Sequence, residues 1–170
     1  DRGNYRIQKF DQDGNWLLSW GNLGQGLGEF YIGLTLTIDD DGHVVVMEPG
    51  FRVQWFSPDG TYLRSWLAQV AGYFGPGQKI IAMFDVLYTM GLDGFGVRLF
   101  TPEGTYLRAI GTPLKSGPQQ FANPAALVGD GNGVLVADAA SGRVQRLDSQ
   151  GQYVSEWTNW SGDQLLDIAL

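Results

Sequence analysis

The sequence has 170 residues, enough for one domain with a substantial core, and is 44% hydrophobic, 13% aromatic and only 17% charged, with 25 glycines. That profile belongs to strands joined by tight turns and excludes disorder. The formal net charge of −7 and the scattered Lys and Arg weigh against general nucleic-acid binding, and the absence of Cys excludes disulfides, thiolate chemistry and cysteine-held metals.

Along the chain one frame recurs. RIQKFDQDGNWLLSW starts at Arg6, RVQWFSPDGTYLRSW at Arg52, VRLFTPEGTYLRAI at Val97 and RVQRLDSQGQYVSEW at Arg143. The segments align on Gly14, Gly60, Gly104 and Gly151, a spacing of about 45 residues that matches one supersecondary unit of four strands. A branched aliphatic stands seven residues before each glycine: Ile7, Val53, Val97 and Val144. Phe10, Phe56, Phe100 and Leu147 stand four before it, and Trp16, Tyr62, Tyr106 and Tyr153 two after it. Trp20, Trp66, Ile110 and Trp157 stand six after it. Each glycine therefore marks the turn of a β-hairpin. Strand alternation puts Tyr62, Arg64 and Trp66 on one face, suited to stacking on the next unit.

The other half of each unit is more apolar. Leu34–Ile38 and Val44–Met47 flank the turn at residues 39–43, Ile80–Phe84 and Val86–Met90 flank Asp85, and Ala125–Val128 and Val134–Ala137 flank residues 129–133. These continuous apolar runs predict two inner strands buried on both faces. The expected division is an outer hairpin at 1–27, complete units at 28–66, 67–111 and 112–159, and the first strand of another unit at 160–170, within which lies the run Gln164–Leu170.

The chain has no helical periodicity, no Trp-Asp dipeptide and no Gly-Gly pair, which sets aside helical solenoids and the WD and kelch repeats. The segments Gly133–Gly151 and Asp1–Gly14 closely resemble the NHL repeat, and the resemblance runs through nearly the whole chain. It implies an all-β propeller of four-stranded antiparallel blades, about six to the ring, with about three and two-thirds present here. The unit at 67–111 is degenerate, and its lead-in near Leu67–Gly77 departs from the family pattern. Blades cut at both ends predict a segment of a longer propeller. Completion into four blades by the chain itself, or a ring shared by two copies, are the other two arrangements. Open blade edges predict self-association.

Candidate chemistry is sparse. Acid and arginine recur together as Asp1 with Arg6, Glu48 with Arg52 and Asp138 with Arg143, while Met90 and Gly96 replace both partners in the degenerate unit. Joint loss is what a structural ion pair predicts, since removing one partner strands a charge; a ring of acids and arginines engaging a ligand is the alternative. Asp39-Asp40-Asp41-Gly42 lacks the alternation and the downstream glutamate of a calcium loop, so it reads as an inner turn. His43 is the only histidine and cannot assemble a catalytic zinc set. No G-x-S-x-G is present, and the glycine-rich run at 21–30 lacks the lysine of a phosphate loop, so it reads as a connector between units. No catalytic residue, metal ligand or cofactor site is expected, and no apolar run approaches a membrane span.

Tyr31, Tyr73, Phe74 and Trp160 fall in connectors and are the candidate interface residues. The expected function is a non-enzymatic NHL-type scaffold that binds a protein partner. The alternative is part of an NHL-type lyase or hydrolase whose active-site residues lie in blades outside this chain. RNA binding, known for some NHL propellers, is disfavoured by the acidic balance. Similarity to bacterial-style NHL proteins leans towards an exported, extracellular or periplasmic location, although the segment carries no address.

Overall fold

The computed structural model describes residues 1–31, 34–48, 52–67, 79–90, 96–111 and 117–158. Aromatic and β-branched residues at alternating positions make each repeat a set of antiparallel strands. A first hairpin joins β1 (Ile7–Phe10) to β2 (Trp16–Trp20). The first four-stranded sheet contains β3 (Thr35–Ile38), β4 (Val44–Glu48), β5 (Arg52–Phe56) and β6 (Tyr62–Leu67). The second contains β7 (Ile80–Met83), β8 (Val86–Met90), β9 (Val97–Phe100) and β10 (Tyr106–Ile110). The third contains β11 (Pro124–Gly129), β12 (Gly133–Asp138), β13 (Arg143–Asp148) and β14 (Tyr153–Trp157). Each sheet is a meander with its strands in sequence order. Of the strands in different sheets, β3 approaches β7, and β7 approaches β11. The first strand of each sheet thus lies innermost and the last at the rim, which is the radial layout of β-propeller blades. The degenerate repeat still forms a complete blade.

The outer turns follow from their residues. Gly14 N–H donates to Asp11 O, and the Asp11 carboxylate accepts the amides of Asp13 and Asn15. Ser57, Thr101 and Asp148 open the corresponding turns, where Gly60, Gly104 and Gly151 close back onto them. The four turn glycines have φ of +85°, +84°, +91° and +73°, a region that L side chains avoid. The register slips by one residue beside each turn, as a glycine bulge requires.

Blades join by one repeated fit. Trp20 lies against Gly60, where an added Cβ would come within 2.7 Å of the indole, and its ring centroid is 5.9 Å from that of Phe56. Trp66 sits in the same way against Gly104 and is 5.6 Å from Phe100. Ile110 fills the equivalent slot against Gly151 and shares an apolar cluster with Leu147. The expected stacking face is split by the register slip beside the turn: Trp66 packs with Trp55 and with Phe100 of the next blade, whereas Tyr62 packs with Phe56 in the preceding cluster, and the Arg64 guanidinium lies 4.7 Å from the centroid of Trp55 in its own blade and 3.5 Å from Glu103 of the next. Deeper in, the buried Tyr88 hydroxyl donates to Ser149 O. Burial pushes its phenol up to about 12, with the nearby Asp148 carboxylate adding to the rise and Arg108 opposing it.

A second expectation needs correction. β4 is buried along its whole length, but β3 is not: Leu36 and Ile38 are 46% and 52% exposed. Among the described residues, no strand pairs with the inner edge of β1. The neighbouring inner strand is therefore left uncovered, beside a groove of about 190 Å³ lined by Ile7, Gln8, Trp20, Leu36 and Ile38.

Candidate functional site

The acid–arginine pairs of the first and third blades prove to be parts of larger loop clasps. In the first blade, Arg52 Nε donates to Glu48 Oε2. Its Nη1 reaches the carbonyls of Gln25 and Gly26 at 2.7 and 2.8 Å, and its Nη2 reaches that of Glu29 at 2.7 Å. Gln54 adds its Nε2 to Glu29 O and to Glu48, and its Oε1 accepts Gly28 N–H. Glu48 Oε1 accepts Tyr31 N–H at 2.9 Å. Glu48 and Gln54 are buried. The connector at 21–31 is thereby held to the blade by charge-assisted bonds to its backbone.

The third blade repeats the device. Arg143 Nη2 and Gln145 Nε2 converge on Gln120 O, both at 2.9 Å, and both residues also reach Gly117 O. Gln145 Oε1 accepts Gln119 N–H, as Gln54 does from Gly28. Asp138 accepts the amides of Ala122 and Asn123. In the second blade Met90 and Gly96 occupy the pair's positions, and the lead-in at 68–78 lies outside the described residues. In the first hairpin, Arg6 Nε lies 2.9 Å from Asp1, which also accepts from Asn4, at a more exposed site.

The clasped connector at 21–31 closes on itself. Phe30 N–H donates to Asn22 O at 2.8 Å, Gly24 N–H to Phe30 O at 3.0 Å, and Gly26 N–H to the Glu29 carboxylate. Phe30 is buried against Gly21 and Phe56. Leu23, Leu27 and Tyr31 point the other way and are 59%, 70% and 54% exposed. A loop with its ends close, an internal anchor and an apolar exterior is a compact, pre-shaped surface. Of the candidate interface residues Tyr31 lies on it, while Tyr73, Phe74 and Trp160 lie outside the described residues.

The acidic turn occupies a separate place. Asp39 caps it, accepting the amides of Asp41 and His43, and its second oxygen lies 3.1 Å from His43 Nδ1. Asp40 reaches the second blade, accepting Phe84 N–H at 2.6 Å. Phe84 and Asp85 both have positive φ, 54° and 55°, a costly conformation for a bulky residue that this cross-blade bond supports. Together with Arg64, Trp55 and Pro102 these turns line a cleft of about 230 Å³. Among the described residues, no group of three or more His, Cys, Asp or Glu could hold a metal ion, and no helix is long and apolar enough to cross a membrane.

Sequence reasoning missed Gln54 and Gln145, although both sit in the repeated R-V-Q, and it missed Leu23 and Leu27, which no periodicity marks. No protein-family model and no curated protein matches the chain. Solved structures do match. The chain is similar to the β-propeller domain of Cps50 (Swd1) from Myceliophteria thermophila, at 14% identity and a TM-score of 0.61, covering 97% of this chain and 52% of that one. It is similar to BamB from Moraxella catarrhalis, at 22% identity and a TM-score of 0.57, covering 98% and 48%. It is also similar to a streptogramin B lyase, at 16% identity and a TM-score of 0.60, covering 92% and 48%. At these identities the likeness is one of fold, and the chain spans about half the length of each.

Proposed function

We propose that this chain is a non-catalytic, NHL-type propeller scaffold that binds a partner protein through the connector at 21–31. The observation that carries the reading is the display of Leu23, Leu27 and Tyr31, each more than half exposed, on a loop whose backbone is clasped by Arg52, Glu48 and Gln54. Apolar and tyrosyl side chains on a rigid loop favour protein association, because little conformational entropy remains to be lost. The acid-rich surface suits a partner with a basic rim, which would steer encounter without supplying most of the affinity.

The test uses the chain immobilised beside a Leu23→Asp, Leu27→Asp, Tyr31→Ala variant whose denaturation midpoint matches that of the parent. A protein held by the parent should be held at least tenfold more weakly by the variant. Equal retention would place binding elsewhere and sink the connector reading.

A further inference from the structure

The inner turn of the third blade joins β11 to β12 through Asp130-Gly131-Asn132-Gly133. The Asp130 carboxylate fixes this turn, accepting Asn132 N–H at 2.9 Å and pairing with Arg146 at 2.8 Å, and Asp130 N–H donates to Gly133 O at 3.0 Å. On that fixed backbone the Asn132 side chain is exposed, and its amide has no hydrogen-bond partner among the described residues. The other described asparagines differ. Asn4 and Asn15 have their amides held by Asp1 and Asp11. Asn22 is followed by Leu23, whose side chain crowds the next peptide nitrogen, and Asn123 by Pro124, whose nitrogen carries no hydrogen. Among the described residues, Asn132 alone joins a free amide to a following glycine. That glycine is imposed by the packing, since a Cβ at 133 would collide with Leu147 O across the β12–β13 pair. The described Asp-Gly steps, which follow the same chemistry more slowly, are tied down. Gly14, Gly42 and Gly60 donate their N–H groups to the carbonyls of Asp11, Asp39 and Ser57, and Asp130 is held by Arg146.

We propose that Asn132 is a site of spontaneous deamidation and is converted mainly to isoaspartate. The Gly133 nitrogen attacks Asn132 Cγ and closes a succinimide ring. The side-chain nitrogen leaves as ammonia, taking up the proton that Gly133 N gives up. Water then opens the ring. Attack at Cγ yields an aspartyl residue. Attack at the former backbone carbonyl leaves the main chain running through the side-chain carbon and yields isoaspartate. The sum is one water consumed and one ammonia released, with nothing oxidised or reduced. Glycine favours ring closure because no Cβ obstructs the approach and its backbone is the least restricted. The product places a new carboxylate two residues from Asp130, the partner of Arg146, and the isoaspartyl link puts one more carbon into the backbone of the turn. Since β12 runs from Gly133 to Asp138, the change falls at the opposite end of that strand from the clasp of Asp138 and Arg143.

The test holds the folded chain in mildly alkaline buffer and follows it by peptide mapping. Residue 132 should gain the mass of an amide-to-acid exchange at least tenfold faster than Asn4, Asn15, Asn22 or Asn123. The rate should rise with pH, because the attacking form of Gly133 N is the deprotonated one. The converted peptide should separate into two products, the larger of them a methyl acceptor for an isoaspartate carboxyl methyltransferase. Asn132→Ser should abolish that acceptor, and methylation that persists in the variant overturns the proposal. A sample unfolded in urea separates sequence from fold: conversion there but not in the folded chain shows that the turn protects Asn132, and overturns it as well. So does earlier conversion at another asparagine, or isoaspartate at position 130 with no change in mass.

Discussion

The first and third blades solve one problem with different acids. In the first, the glutamate of the Glu48–Arg52 pair reaches its arginine directly. In the third, the aspartate is one methylene shorter, and Asp138 stands 4.0 Å from Arg143. Ser141 fills the interval, donating to Asp138 at 2.7 Å and accepting from Arg143 Nε at 3.0 Å, while Glu156 supplies a second carboxylate at 3.1 Å. Yet Arg52 and Arg143 end on equivalent connector carbonyls, those of Glu29 and Gln120. The repeat therefore keeps the capture of a connector's backbone, and the ion pair is the means of holding the guanidinium in place. The second blade, with Met90 at the acid's position, is the third variation.

The largest expected effect is on the first clasp. Arg52→Leu takes the charge partner from the buried Glu48, which keeps only Gln54 and the Tyr31 amide as donors, and frees the carbonyls of Gln25 and Gly26, and should cost about 3–5 kcal/mol in denaturant unfolding. Arg143→Leu should cost less, about 2–3 kcal/mol, because Asp138 keeps Ser141 and two backbone amides as donors. Equal losses would break the distinction between the two clasps. Ser141→Ala should cost about 1–2 kcal/mol. Asp138→Glu in the Ser141→Ala background should recover part of that loss, with a coupling energy of at least about 0.5 kcal/mol in a double-mutant cycle. Independent effects would show that Ser141 is no spacer.

Tyr88 contrasts a neutral link with the charged ones. Its folded pKa is raised to about 12 from 10.0, so above pH 10 the unfolded chain sheds a proton that the folded chain keeps. Stability contributed by the neutral phenol is thus complete below pH 10 and is lost as pH rises towards 12, by up to about 2 kcal/mol. Tyr88→Phe should lower stability at neutral pH by about 1 kcal/mol, for the lost bond to Ser149 O, and flatten that alkaline fall. A persistent fall would assign it to another group. The smallest effect belongs to Arg64→Ala. Arg64 and Glu103 are solvent-exposed, and losing their pair and the stack on Trp55 should cost less than about 1 kcal/mol by the same unfolding measurement.

Much of the blade is legible in the sequence. Turn glycines with aromatics two and six residues later mark the outer hairpins, because φ sign and strand alternation leave few alternatives. The pairing of Glu48 with Arg52 is legible from its recurrence. Its role as a clasp is not, since the groups it captures are backbone carbonyls, which carry no residue signature. Gln54 could have been found from the shared R-V-Q. The exposure of Leu36 and Ile38 depends on what lies beside β1, which no local pattern encodes. Leu23 and Leu27 sit in a glycine-rich run where apolar residues have no period to reveal which way they face.

Because each blade meets its neighbours through a plug at the turn glycine together with a few cross-blade bonds such as those of Asp40 and Tyr88, cohesion along the chain is a sum of nearest-neighbour couplings, as in a row of linked carriages. The couplings are unequal: the first two plugs are Trp20 and Trp66, and the third is the smaller Ile110. Loss of order should therefore start as a front at the Ile110 junction, with the blade of β11–β14 uncoupling while the first two stay locked. Amide exchange that is faster in β11–β14 than in β3–β6 would record the size of that one side chain as a gradient along the whole molecule.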